Sequence, residues 1–214
     1  MEAAISDAIT KLKELDLTAK DERLETKKSI TPVALFKADR NAGSSPFTYE
    51  KVLETLLDLG ISRDEIALHT GEHEELNSKE NYKYVITVDK LKEGWDEPNA
   101  YVLGIMGDIS SSTAVEQILG RILRLPYAEP KHHKELEKAY AYVASDKTLE
   151  VIATLKDSLI NNGFEEQEAD LSISASSNSN RKADGRLDGF VDELKLETVD
   201  VSRIPEPIKK YINV

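Results

Sequence analysis

The sequence predicts an α/β fold, a parallel doubly wound sheet with helices on both faces, on three observations. Five short apolar runs, partly β-branched and bounded by polar or turn residues, read as buried strands. Stretches with helical spacing, or long enough to serve as crossovers, separate most of them, which favours parallel pairing. Hydrophobic residues make up 40% and charged residues 32% of the 214, a globular balance with enough chain for one substantial core.

The elements follow in order. Residues 1–29 hold a helix at 3–15 and then a charged segment, 16–29, with little core potential; together they read as a lead-in or linker. Thr31-Pro32-Val33-Ala34-Leu35-Phe36 is the first strand, and a parallel strand here delivers Lys37-Ala38-Asp39-Arg40 to a ligand-facing edge. Ser45 as cap and Pro46 at the first helical position open a helix that continues through Tyr49, Val52, Leu53, Leu56 and Leu57 and stops at Gly60. Ser62-Arg63-Asp64-Glu65 has capping-box spacing and makes one tight turn before a strand at 66–69. The polar stretch 71–81 is a loop or short helix. Tyr84-Val85-Ile86-Thr87-Val88 is the third strand and residues 100–106 the fourth. A polar loop, 107–112, leads to an amphipathic helix at 113–125, then come a helix at 131–138, a strand at 139–143 and a helix at 147–161.

After Gly163 the character changes. Residues 171–185 are rich in Ser, Asn and charge and read as a flexible linker, 190–201 has strand potential, and Pro205-Glu206-Pro207 breaks the chain before a last short helix. The expected division is therefore 1–29, a main domain at 30–165, and an appendage at 166–214. Phe36, Ile86, Val102 and Tyr142 are expected in the buried sheet, with Leu56, Ile118 and Ile122 packed on its faces.

Composition narrows the function. The formal charge, 28 minus 40 or −12, argues against a broad electrostatic nucleic-acid surface, so any nucleic-acid contact must be local. Cysteine is absent, which excludes disulfides and cysteine-ligated zinc and fits a cytoplasmic protein. There is no run of eighteen apolar residues and no signal segment at the start, so neither membrane insertion nor secretion is supported.

The most informative stretch is Glu116-Gln117-Ile118-Leu119-Gly120-Arg121-Ile122-Leu123-Arg124. At about 100° per residue, Gln117, Arg121 and Arg124 fall within an arc of about 60°, while Val115, Ile118, Leu119 and Ile122 gather opposite. One face is core and the other a cationic stripe. An ordinary solvated face is the plain alternative. Neither arginine, however, has a carboxylate three or four residues before it, and Gly120 lowers helix propensity by about 1 kcal/mol relative to Ala. Unpaired arginines beside a small residue suit close approach of a phosphate.

The pattern Gln-x-x-Gly-Arg-x-x-Arg resembles motif VI of superfamily-two helicases and translocases. Leu91-Lys92-Glu93-Gly94-Trp95-Asp96-Glu97-Pro98-Asn99 resembles motif V of the same group, in wording closest to the restriction (Res) subunits of type III restriction enzymes. The two occur in the expected order, separated by one predicted strand, and the resemblance covers roughly residues 32–160. It implies a RecA-like second motor domain. Arg121 and Arg124 would reach the terminal phosphates of ATP, Gln117 would orient a water or a phosphate oxygen, and Gly94 and Asp96 would serve the nucleotide. Thr70 and Gly71 resemble the small-residue turn that meets a nucleic-acid backbone, and Lys37 and Arg40 lie on the same edge. Many of these motors place a threonine six residues before the motif V glycine; here that position is Val88, with Thr87 one step away.

No Gly-x-x-x-x-Gly-Lys-Ser/Thr loop occurs, nor an Asp-Glu-x-His box for Mg²⁺. The chain thus looks like the second half of a longer motor, with ATP and Mg²⁺ held in the full-length parent and not by this part alone. The implied partners are a first RecA-like domain, DNA and a modification methyltransferase subunit. The alternative is a degenerate RecA-like domain acting as a protein-interaction scaffold, against which the joint presence of Gly94, Asp96, Gln117, Arg121 and Arg124 argues. His69 and His73 do not form His-Glu-x-x-His, and Gly71 between them interrupts a helix, so no metal site is expected. Asp188 with Glu193-Leu194-Lys195 resembles a nuclease Asp…Glu-x-Lys site, but the separation of five residues is short for that arrangement and a charged strand explains it equally well.

Overall fold

The computed structural model describes residues 1–39, 45–71, 73, 75, 81–88, 99–107, 130–145, 148–161, 174–176 and 193–195. Its centre is a five-stranded sheet of β1 (Val33–Lys37), β2 (Ile66–His69), β3 (Tyr84–Thr87), β4 (Ala100–Met106) and β5 (Tyr140–Ala144), in the order β2-β3-β1-β4-β5. Every pairing is parallel. The five predicted runs are these five strands, β2 and β4 with the expected limits and the other three shifted by one or two residues at one or both ends. Because a parallel strand is covered on both faces, it reads as a continuous apolar run, and all seven residues of β4 are buried. The chain is an α/β protein.

Two side-chain layers result from the strand alternation. Ala34, Phe36, Ile66, Leu68, Tyr84, Ile86, Val102, Met106 and Tyr142 share one apolar cluster with α1 (Glu2–Thr26) and α2 (Tyr49–Asp58). Leu35, Val85, Leu103, Ile105 and Val143 alternate with them along the strands and are equally buried. A third helix, α3 (Thr148–Asn161), lies against β5 and buries Val151 and Leu155. Between Val33 and Ala34 the pairing with β4 slips by one residue, which leaves Tyr101 as the extra residue of a bulge.

Four expectations are corrected in detail. The first helix continues to Thr26 instead of ending at 15. Its buried stripe, Ile5, Ala8, Ile9, Leu12, Leu15, runs on through Ala19 to Glu22, and Lys27 closes it in the left-handed conformation. Ser45 does not cap α2: the cap position is Thr48, and the Ser45 hydroxyl instead accepts the Phe47 N–H at 3.1 Å and donates to Asp39 at 2.9 Å. At Ser62 the tight turn is present as a 3-10 turn, Arg63–Glu65, but without a side-chain cap bond. The helix expected at 131–138 is only a 3-10 turn, Lys134–Glu137: Glu22 of α1 binds the amides of His132 and His133, Glu137 itself binds that of Lys131, and His133 is extended. Beyond residue 165, β6 (Ser174–Ser176) pairs antiparallel with β7 (Glu193–Lys195).

Phe36, Ile86, Val102, Tyr142 and Leu56 are all buried as expected, while Ile118 and Ile122 lie outside the described residues. Burial, with help from the Glu65 and Asp16 carboxylates, pushes the Tyr84 hydroxyl up from 10.0 to about 12. Burial and Glu22 raise Tyr101 in the same direction. A native state that holds these protons more tightly than the unfolded chain loses stability as pH climbs from 10.0 toward 12. An alkaline titration of phenolate absorbance should therefore show part of the tyrosine signal delayed until the protein unfolds. Ionisation of all eight tyrosines near pH 10.0 without unfolding would contradict the burial.

Candidate functional site

The carboxyl edge of the sheet gathers most of the described site residues. β1 leaves this edge toward β2 and β4 leaves it toward β5, so the two neighbouring strands diverge and open a crevice where α/β proteins take ligands. Lys37 ends β1. Its Nζ donates to Asp39 Oδ1 at 3.1 Å, with both side chains mostly buried. Asp39 Oδ2 accepts from Ser45, and the Asp39 amide donates to the Phe47 carbonyl at 2.9 Å. The aspartate thus organises the start of the β1 to α2 connection and fixes the ammonium of Lys37.

Gly107 closes the other side of the crevice. Its φ of 97° lies in the left-handed region, its amide donates to the Ala144 carbonyl at 2.8 Å, and a Cβ there would collide with the Asp39 carboxyl group. Gly107→Ala should therefore cost at least about 1–3 kcal/mol from backbone strain alone. The collision should add to that and be relieved in the Gly107→Ala/Asp39→Ala double variant, giving a non-additive cycle in urea denaturation. A silent Gly107→Ala would overturn the close approach.

Lys37, Thr87 and His69 occupy one rung, since Thr87 pairs with Lys37 on one side and His69 on the other. The three side chains share a face and sit one strand spacing apart, about 4.8 Å. Thr87 is fully buried, and its hydroxyl has no hydrogen-bond partner among the described residues. An unpaired buried hydroxyl costs about 1–3 kcal/mol. Val88, six residues before Gly94, is buried in the apolar cluster.

Thr70 and Gly71 follow β2 on the same edge, two strand spacings from Lys37, or about 10 Å. The Thr70 amide donates to the His73 carbonyl at 3.0 Å and its hydroxyl accepts the His73 N–H at 3.2 Å, leaving the hydroxyl proton to donate outward. Gly71 has φ 89°, which suits a turn that presents backbone to a ligand. Arg40, Gly94, Asp96, Gln117, Arg121, Arg124 and Asp188 lie outside the described residues. Among the described residues no group of three or more His, Asp or Glu side chains is placed to hold a metal ion. No described helix is long and apolar enough to cross a membrane.

In the sequence Asp39 stands out only as part of the Lys37 to Arg40 run, Thr87 only as one step from Val88, and Gly107 only as the start of a polar loop. Asp39 lies inside the Lys37 to Arg40 run already assigned to the edge, and a glycine directly after an apolar strand signals a close approach. The burial of the Thr87 hydroxyl had no signal in the sequence. No protein-family model matches the chain, and no curated protein sequence matches it.

Proposed function

We propose that this chain is the second, RecA-like motor domain of an ATP-dependent DNA helicase or translocase similar to type III restriction subunits. In this reading Arg121 and Arg124 complete an ATP site held mainly by a first RecA-like domain. The observation that carries the proposal is connectivity. The segment with Gly94 and Asp96 begins one residue after Val88 at the carboxyl end of β3, and the segment with Gln117, Arg121 and Arg124 follows Gly107 at the carboxyl end of β4. Those two strands flank β1, so both motif-bearing connections leave the edge on either side of Lys37. In this reading a nucleotide bound at that edge is served by both connections.

Charge stabilisation delivered across a cleft is conditional on domain closure, which is what couples hydrolysis to movement. Thr70, Gly71, Lys37 and Arg40 supply the local nucleic-acid contacts that a chain of charge −12 requires in place of a broad basic surface. Mg²⁺ and the main phosphate cradle belong to the first domain in this scheme. Calorimetric titration of the isolated chain with ATP and Mg²⁺ should give negligible heat. Micromolar or tighter binding accompanied by turnover would defeat the half-motor reading.

A further inference from the structure

Three successive backbone amides, those of Lys131, His132 and His133, are bound by two buried carboxylates. Glu137 Oε1 accepts from Lys131 at 3.0 Å. Glu22, on α1 and 1% exposed, accepts from His132 at 3.1–3.2 Å and from His133 at 3.1 Å. Glu25, one turn further along α1, pairs with His132 Nδ1 at 3.2 Å. Burying a carboxylate is costly unless several donors satisfy it, and Glu22 accepts from two consecutive amides. The pair of carboxylates therefore fixes the path of residues 131–133 against the end of α1.

That location matters because of what the chain does on either side. Gly107 sits at the carboxyl edge, tied to Ala144, whereas residues 130–133 lie beside the end of α1, on the approach to β5. The connection from 108 to 129, which carries Gln117, Arg121 and Arg124, is thus anchored at both ends by hydrogen bonds to the domain. Residues 125–131 separate Arg124 from His132, the first residue whose amide Glu22 binds. Losing one anchor lets a crossover shift along the sheet, and a displacement of about 1 Å in a group aimed at a reacting phosphate costs about a hundredfold in rate.

The geometry points to Glu22 as a positioning residue that sets the arginine-bearing crossover through the amides of His132 and His133, which makes α1 a working part of the domain and not a lead-in. This rests on the motor reading above. The test compares Glu22→Ala with Leu56→Ala and Arg124→Ala in the full-length parent, using hydrogen exchange at the two histidine amides and the ATPase kcat and KM. Leu56 is fully buried on α2 and serves as a control for lost stability without a lost anchor. Glu22→Ala should raise exchange at His132 and His133 about tenfold or more. It should also lower kcat about ten- to a hundredfold with KM for ATP within about twofold of the parent. Glu22→Gln, which keeps one acceptor oxygen, should move both readouts the same way by less. Leu56→Ala should leave kcat near normal below its own melting range. If exchange rises in Glu22→Ala while kcat matches Leu56→Ala, the positioning role is overturned and the motor reading stands. If Arg124→Ala hydrolyses ATP normally, the motor reading itself fails and the inference falls with it.

Discussion

Replacing Arg124 or Arg121 by alanine in the full-length parent should abolish DNA-stimulated ATP hydrolysis while the protein remains folded. A guanidinium aimed at the charge that develops on a transferring phosphoryl group acts in the transition state, where such fingers are worth roughly 10³–10⁵ in rate. The loss should fall on kcat and kcat/KM together, since the proposed motor arrangement leaves the ground-state hold on ATP to a first domain. Thermal melts should stay close to the parent's, because helical spacing in the sequence puts Gln117, Arg121 and Arg124 opposite the apolar residues. Near-normal hydrolysis, or activity lost only through unfolding, would make the stripe an ordinary helix face.

The largest stability effect is expected at Ile86. It is fully buried on β3, which pairs with β1 and β2 on either side and carries α2 above it. Ile86→Ala leaves a cavity in a layer that cannot collapse without moving three strands, at a cost of about 2–5 kcal/mol. Leu57→Ala, at a 41% exposed position on α2, should change stability by no more than about 0.5 kcal/mol. Equilibrium urea denaturation separates the two. A loss under about 1 kcal/mol at Ile86 would be inconsistent with the close-packed layer described above.

The strands were legible because a parallel strand must be apolar on both faces, so Val33 to Phe36, Tyr84 to Ile86 and the whole of β4 stand out as runs. Helix limits were less legible where charge misleads. Glu22 lies in a segment whose composition suggests solvent, yet its carboxylate is buried because backbone amides 110 residues away bind it. The same long-range bonds pre-empt the helix expected at 131–138. Ser45-Pro46 carries a local helix-start signal, but Asp39 competes for the serine hydroxyl and the helix begins later. Local propensity ranks local options; it does not see a carboxylate arriving from another element.

Of the edge site, Lys37, Thr70 and Gly71 were legible from their place after strands. The roles of Asp39, Gly107 and Thr87 depend on which strands become neighbours, and β1 pairs with β3 and β4, neither adjacent to it in sequence. Until that order is known, nothing connects the glycine after β4 with the aspartate after β1.

The central claim is that this chain completes an ATP site without holding one. It is tested most directly by measuring DNA-stimulated ATP hydrolysis for the isolated chain, for the separate first RecA-like domain of the parent, and for the two joined in one polypeptide. The account predicts no turnover from the chain, ATP binding with little turnover from the first domain, and full turnover only when they are joined. Turnover by the isolated chain, or a first domain fully active without it, would contradict the account.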